Sequence, residues 1–182
     1  MARHHAGDLS VAHYDVLPDR STVWIDATSS VHPVHSELHG VTGFIDVDVT
    51  GSGALDFSTA PSGRLELPVD RMSSGNPLYD HEMKRRVQAD KFPTIIGELT
   101  SMAPIPSSGG RSYRVRGDVT LMGVTVGYEG LMSIVAKEDL VVLEGHHTFD
   151  IRDFGVEPPR LLMLKVHPDF AVRVEIAAKR VD

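Results

Sequence analysis

The sequence predicts an all-β protein, an antiparallel barrel of about eight strands with one short amphipathic helix. Three observations predict it. Apolar and polar residues alternate with period 2 over several stretches, the pattern of half-buried antiparallel strands. Eleven prolines and 16 glycines in 182 residues punctuate the chain too often for a long helical bundle. Only one segment carries a helical period. Strands of this kind can close on themselves around either packed side chains or one small ligand.

The elements follow in order. Residues 1–20 are polar and aperiodic, and read as a tail or arm laid over a domain that spans residues 21–182. A short strand is expected near Thr22 to Ala27. From Val41 to Thr50 the alternation is clear, with Val41, Gly43, Ile45, Val47 and Val49 on one face and Thr42, Phe44, Asp46, Asp48 and Thr50 on the other. Gly51-Ser52-Gly53 is a turn signal. Leu55 and Phe57, then Leu65, Leu67 and Val69, continue the pattern around a break at Ala60-Pro61-Ser62-Gly63. Pro77 to about Ala89 is the helix. Asn76 suits its N-cap and Pro77 its first turn, and Tyr79, Met83 and Val87 form one apolar stripe. Asp80 with Lys84, and Glu82 with Arg86, are spaced for i,i+4 pairs. Phe92-Pro93 ends the helix. Strands resume at Thr94 to Ala103, and a loop follows from Pro104 to Gly110. Tyr113, Val115, Gly117, Val119 and Leu121 alternate with Arg114, Arg116, Asp118 and Thr120. Val124 to Ala136, Leu140 to Ile151 and a last strand through Phe170, Val172, Val174 and Ile176 complete the set.

Composition removes several function classes. There is no cysteine, which excludes disulfide scaffolds, thiolate metal sites and thiol nucleophiles. A net charge of −7 disfavours nucleic acid as a partner. No apolar run approaches the roughly 18 residues of a membrane span. The opening MARHHAGDLS lacks the apolar core of a secretory signal, so the expected location is cytoplasmic. The charge and the strand edges are compatible with a monomer or a homodimer.

Three stretches together resemble a known family: YDHEMKRRVQADKFPTI from Tyr79 to Ile95, GDVTLMGVT from Gly117 to Thr125, and TFDIRDFGV from Thr148 to Val156. Their order and spacing are similar to the YceI-like proteins, bacterial polyisoprenoid-binding proteins with a lipocalin-like barrel. The resemblance covers about Thr22 to Ala178. It implies binding of an apolar or amphiphilic small molecule, of isoprenoid or lipid type, inside the barrel rather than catalysis.

The candidate ligand-binding residues are Trp24, Phe44, Tyr79, Tyr113, Tyr128 and Arg152. The aromatic residues would supply apolar wall. Tyr79 also belongs to the docking stripe of the helix, and Trp24 is placed to close a barrel end. Arg152, between Asp150 and Asp153, suits either a charged rim for a headgroup or a pair that fixes the bend at Gly155. His32, His35 and His39 are the candidate metal ligands. Spacings of three and four suit one helix face, but Pro33 lies among them and the surroundings read as strand or loop, where His35 and His39 share a face and His32 does not. This triad carries the alternative reading, a metal- or haem-dependent enzyme built on the barrel. His4 and His5 could bind metal adventitiously. His146 and His147 point to opposite sides of a strand, so at most one faces inward. No phosphate loop, nucleophile elbow or His-Glu-x-x-His pattern occurs, and no catalytic set is assigned.

Overall fold

In the computed structural model, which describes residues 8–109 and 111–181, the chain forms a closed antiparallel barrel. His4 and His5 lie outside the described residues. Thirteen strand segments follow one another: β1 (Ser10–Val16), β2 (Thr22–Ser29), β3 (Val34–Leu38), β4 (Thr42–Val49), β5 (Leu55–Asp56), β6 (Ser62–Pro68), β7 (Met72–Ser73), β8 (Thr94–Pro104), β9 (Ser112–Leu121), β10 (Val124–Lys137), β11 (Leu140–Asp150), β12 (Arg160–Leu161) and β13 (Leu164–Arg180). The single α-helix among the described residues, α1 (Pro77–Arg86), lies between β7 and β8.

Eight of these strands close the ring in the order β1-β4-β6-β8-β9-β10-β11-β13, and β13 pairs back to β1. Beyond that ring β2, β3 and β7 extend three of the staves. β2 continues the line of β1 along β13, β3 continues β4, and β7 continues β6. Apart from the closing pairs of β13 with β1 and β2, each stave's neighbour in space is therefore its neighbour in sequence, the up-and-down arrangement of lipocalin-like barrels. The breaks between the paired segments fall at adjacent places. Residues 17–21 contain a short 3₁₀ turn, Gly40 takes a left-handed φ of +77°, and Val69–Arg71 forms another 3₁₀ turn.

The expected tail proves to contain β1, which sits between β4 and β13. Its register pairs His13 with Asp46 on one side and Val16 with Ala178 on the other. Ala12, Tyr14 and Val16 turn inward and are buried, while Val11, His13 and Asp15 face out. Three inward residues, one of them alanine, give too weak an alternation to stand out in sequence. The break that follows is stitched down by Ser21, whose hydroxyl donates to the Leu17 carbonyl at 2.8 Å and accepts from Ala177 N–H at 3.1 Å.

The helix ends at Arg86, with Val87 as its C-cap, slightly earlier than expected. Tyr79, Met83 and Val87 are buried, as the stripe predicts. Asn76 caps the helix, its Oδ1 accepting from Leu78 N–H at 3.0 Å and Tyr79 N–H at 3.3 Å. Glu82 accepts from Arg86 at 2.7 Å and also from Arg85 at 2.8 Å. Those two guanidiniums, Arg85 foremost, hold the Glu82 carboxyl down at about 2. The other predicted pair does not form. Asp80 instead accepts from Ser74 N–H at 2.9 Å, and Lys84 donates to the Asp70 carbonyl at 3.2 Å.

Candidate ligand-binding lumen

The inner face of the barrel is built from every second residue of each strand. On β9 these are Tyr113, Val115, Gly117, Val119 and Leu121; on β10, Val126, Tyr128, Gly130, Met132 and Ile134. Many of these side chains turn inward yet remain half-buried, among them Leu65, Leu67, Val119, Leu121 and Val172. An inward side chain stays accessible only where the opposite wall does not reach it. The barrel is hollow. Its lumen measures about 380 Å³ and runs from Leu55 and Phe57 near one rim to Met83 and Val87, beneath α1, at the other. That volume lies at the small end of the range for sites that hold one small organic molecule.

Glycines keep the space open. Gly63, Gly97, Gly117, Gly130 and Gly145 all border the lumen. Gly117 is required by packing as well, because a Cβ there would lie 2.8 Å from the Glu98 carbonyl oxygen. A Cβ at Gly97 or Gly130 would meet nothing closer than 4.0 Å and 3.8 Å respectively. There the missing side chain is simply volume left to the lumen.

The wall is almost wholly apolar. Of the charged residues that border it, Arg64, Glu98, Arg116 and Glu129 hold their side chains on the outer face in ion pairs. Arg64 donates to Glu66 at 3.0 Å and also bonds Glu98, and Arg116 donates to Glu129 at 2.8 Å. The inward polar groups are gathered on β10 and β11. His147 lies between Tyr128 and Phe149, with ring centroids 5.2 Å and 4.7 Å away. Phe149 meets Tyr128 edge-on at 4.7 Å. The Tyr128 hydroxyl donates to Asp153 at 3.3 Å. Burial, with the Asp153 carboxylate beside it, pushes that phenol up to about 12, so it remains a donor at neutral pH. Among the described residues the His147 ring nitrogens have no hydrogen-bond partner.

The candidate residues named from sequence separate accordingly. Tyr128 lines the lumen. Phe44 contributes to its wall, although its ring stacks outward on His13 at 5.6 Å. Tyr113 and Tyr79 are buried beside the lumen rather than lining it. Tyr113 packs on Phe57 at 4.7 Å, and Tyr79 seats α1 with its phenol raised to about 12 by burial. Trp24 points outward under the Arg173 guanidinium, 3.7 Å from the ring centre, and closes no barrel end. Arg152 is exposed and forms a fork with Asp150, donating at 3.0 Å and 2.7 Å, while Asp150 also accepts from Arg152 N–H at 2.9 Å. The pair stands at the start of the 3₁₀ turn Ile151–Phe154, which ends at Gly155 in a left-handed conformation.

The histidine triad does not converge. β3 is a strand, so its side chains alternate, and each imidazole finds a separate local partner. His32 Nδ1 contacts the Pro33 carbonyl at 2.9 Å, His35 Nδ1 the Asp26 carboxylate at 2.6 Å, and His39 Nε2 the Glu37 carboxylate at 3.0 Å. No cluster of three metal-ligating side chains occurs among the described residues. His147 and the inward glycines complete the site. The alternation of the strands that carry them was the signal, but it did not say which face is inside.

A closed eight-stranded up-and-down barrel with an apolar lumen defines the lipocalin-like class of β-barrels. Within it, the YceI-like domain matches residues 14–178, and the chain belongs to the YceI-like family. The fold is similar to that of Burkholderia cenocepacia BcnA, with a TM-score of 0.72 and 15% identity over 90% of this chain and 99% of that one. A polyisoprenoid binding domain from Saccharophagus degradans superposes with a TM-score of 0.70 at 8% identity, covering 94% of this chain and all of that one (100%). The Campylobacter jejuni YCEI protein gives 0.63 at 12% identity, covering 82% and 86%. Comparison with curated proteins by sequence gave no match.

Proposed function

We propose that the barrel binds one apolar or amphiphilic molecule of isoprenoid or lipid type in its lumen. The observation that carries this reading is the lumen itself, about 380 Å³ of apolar space inside a closed barrel. Burying an apolar chain there gains about 25 cal/mol per Å² of surface removed from water, so tight binding needs few polar contacts. The Saccharophagus degradans domain, described as polyisoprenoid binding, shares the fold and supports the choice of ligand class. His147 gives the ligand a polar end. It lines the lumen with ring nitrogens that have no hydrogen-bond partner among the described residues, and in an apolar surrounding one hydrogen bond to a headgroup is worth more than in water.

Native mass spectrometry of untagged protein tests the reading. The expected result is an added mass of a few hundred daltons that leaves on denaturation and is identified by organic extraction. A native mass equal to that of the chain, together with no uptake from a panel of isoprenoids and fatty acids, would refute it.

A further inference from the structure

The hairpin between β12 and β13 breaks two rules of surface design at once. It is a two-residue turn, with Leu161 paired to Leu164 and Leu162-Met163 at the tip. Both tip side chains are fully in solvent, at 103% and 90% exposure. Leu162 also takes a left-handed φ of +52°. Hairpin tips of this kind normally carry Gly, Asn or Asp, which adopt that conformation at little cost and welcome water. Met122 and Glu138 take the same left-handed conformation at the β9–β10 and β10–β11 turns, so what sets this tip apart is that both its side chains are apolar and fully exposed.

The tip is not isolated. The β2–β3 loop is tied to it, since Ser30 N–H donates to the Lys165 carbonyl at 2.9 Å and Lys165 N–H donates to the Ser30 hydroxyl at 3.1 Å. Val31, the next residue, is 68% exposed and extends the apolar tip. Just behind it stand Arg160 and Lys165, paired across the hairpin and both exposed. Neither forms an ion pair among the described residues, in a chain of net charge −7. The hairpin also packs against α1, whose Met83 and Val87 form one end of the lumen.

We propose that this tip docks on an anionic lipid surface, with Val31, Leu162 and Met163 entering the acyl boundary and Arg160 and Lys165 meeting the headgroups. A convex tip of three side chains is too small for a stable protein interface, which buries roughly 800 Å² per partner. It does suit a bilayer, where a few apolar side chains and an adjacent cationic pair add their effects. The proposal is independent of what the lumen holds, because docking is read on vesicles without reference to a bound ligand.

Vesicle co-sedimentation of the full chain tests it, using phosphatidylcholine alone and phosphatidylcholine with phosphatidylglycerol. Wild type should sediment with the anionic vesicles, and less so as salt is raised. The double variant Leu162→Asn, Met163→Ser should lose at least tenfold in affinity while melting no lower than wild type, since asparagine accepts the turn. Arg160→Gln with Lys165→Gln should remove the preference for anionic over neutral vesicles. Failure of wild type to bind either vesicle, or equal binding by the Leu162/Met163 variant, overturns the proposal. So does a concentration-dependent dimer abolished by that variant in a protein that ignores vesicles, which would assign the tip to a second copy of the chain.

Discussion

A Cβ at Gly97 would enter open lumen, its nearest neighbour Leu65 Cβ at 4.0 Å. Gly43 is the opposite case, because its φ of +143° and the adjacent Arg64 carbonyl exclude any side chain. Gly97→Leu is therefore expected to leave the barrel folded while filling the space that a ligand would occupy. Native mass spectrometry of the variant and wild type, prepared in parallel, should show the added mass only in wild type, and circular dichroism should show equal strand content. Gly97 also shows where sequence reading stops. Its place between Ile95 and Leu99 on the inner face of β8 follows from alternation, but a glycine on that face is equally consistent with a bulky neighbour filling the gap. Hollowness is a property of the opposite wall, which no single strand records. The histidines make the converse point. His32, His35 and His39 have the right chemistry for a metal, yet a strand separates side chains that a helix would gather.

At the scale of the element, α1 was the most legible part of the chain, because cap and stripe act within a few residues; its end was misplaced, since the helix stops at Arg86, ahead of the left-handed Gln88 (φ +51°), and not at Phe92-Pro93. Asn76→Ala removes the acceptor for two otherwise unpaired helix N–H groups. It should cost about 1 kcal/mol of stability, measured as a lower denaturant midpoint with an unchanged slope. The long strands were legible for the same local reason, an apolar residue at every second place. The hidden elements were those whose identity depends on partners. β1 offers only Ala12, Tyr14 and Val16 to the interior and is held by β4 and β13, which lie far along the chain. β3 is short and begins just after Pro33 in a histidine-rich stretch that suggested other chemistry.

At the scale of the whole molecule the ring closes at one seam, where β1 and β2 meet β13. His13 and Asp46 bond across the neighbouring β1–β4 line, with a contact of 2.5 Å. The Asp46 hydrogen bond, aided by Asp15, raises the imidazole above its ordinary 6.5. A raised histidine stabilises the fold when protonated. Its contribution is complete below pH 6.5 and is lost as pH rises through the raised value. Chemical denaturation on either side of that range should show wild type losing stability toward higher pH, with the slope reduced in Asp46→Asn. The same seam has a consequence for biosynthesis. Neighbouring staves can zip together as they leave the ribosome, each waiting only for the next hairpin. The stave formed by β1 and β2 differs, because the partner for its free side is Val166 to Arg180, which is made after every other strand of the ring. Until β13 emerges, that stave carries an unsatisfied edge open to other chains, and the pairing of β13 with β1 and β2 is the event that closes it.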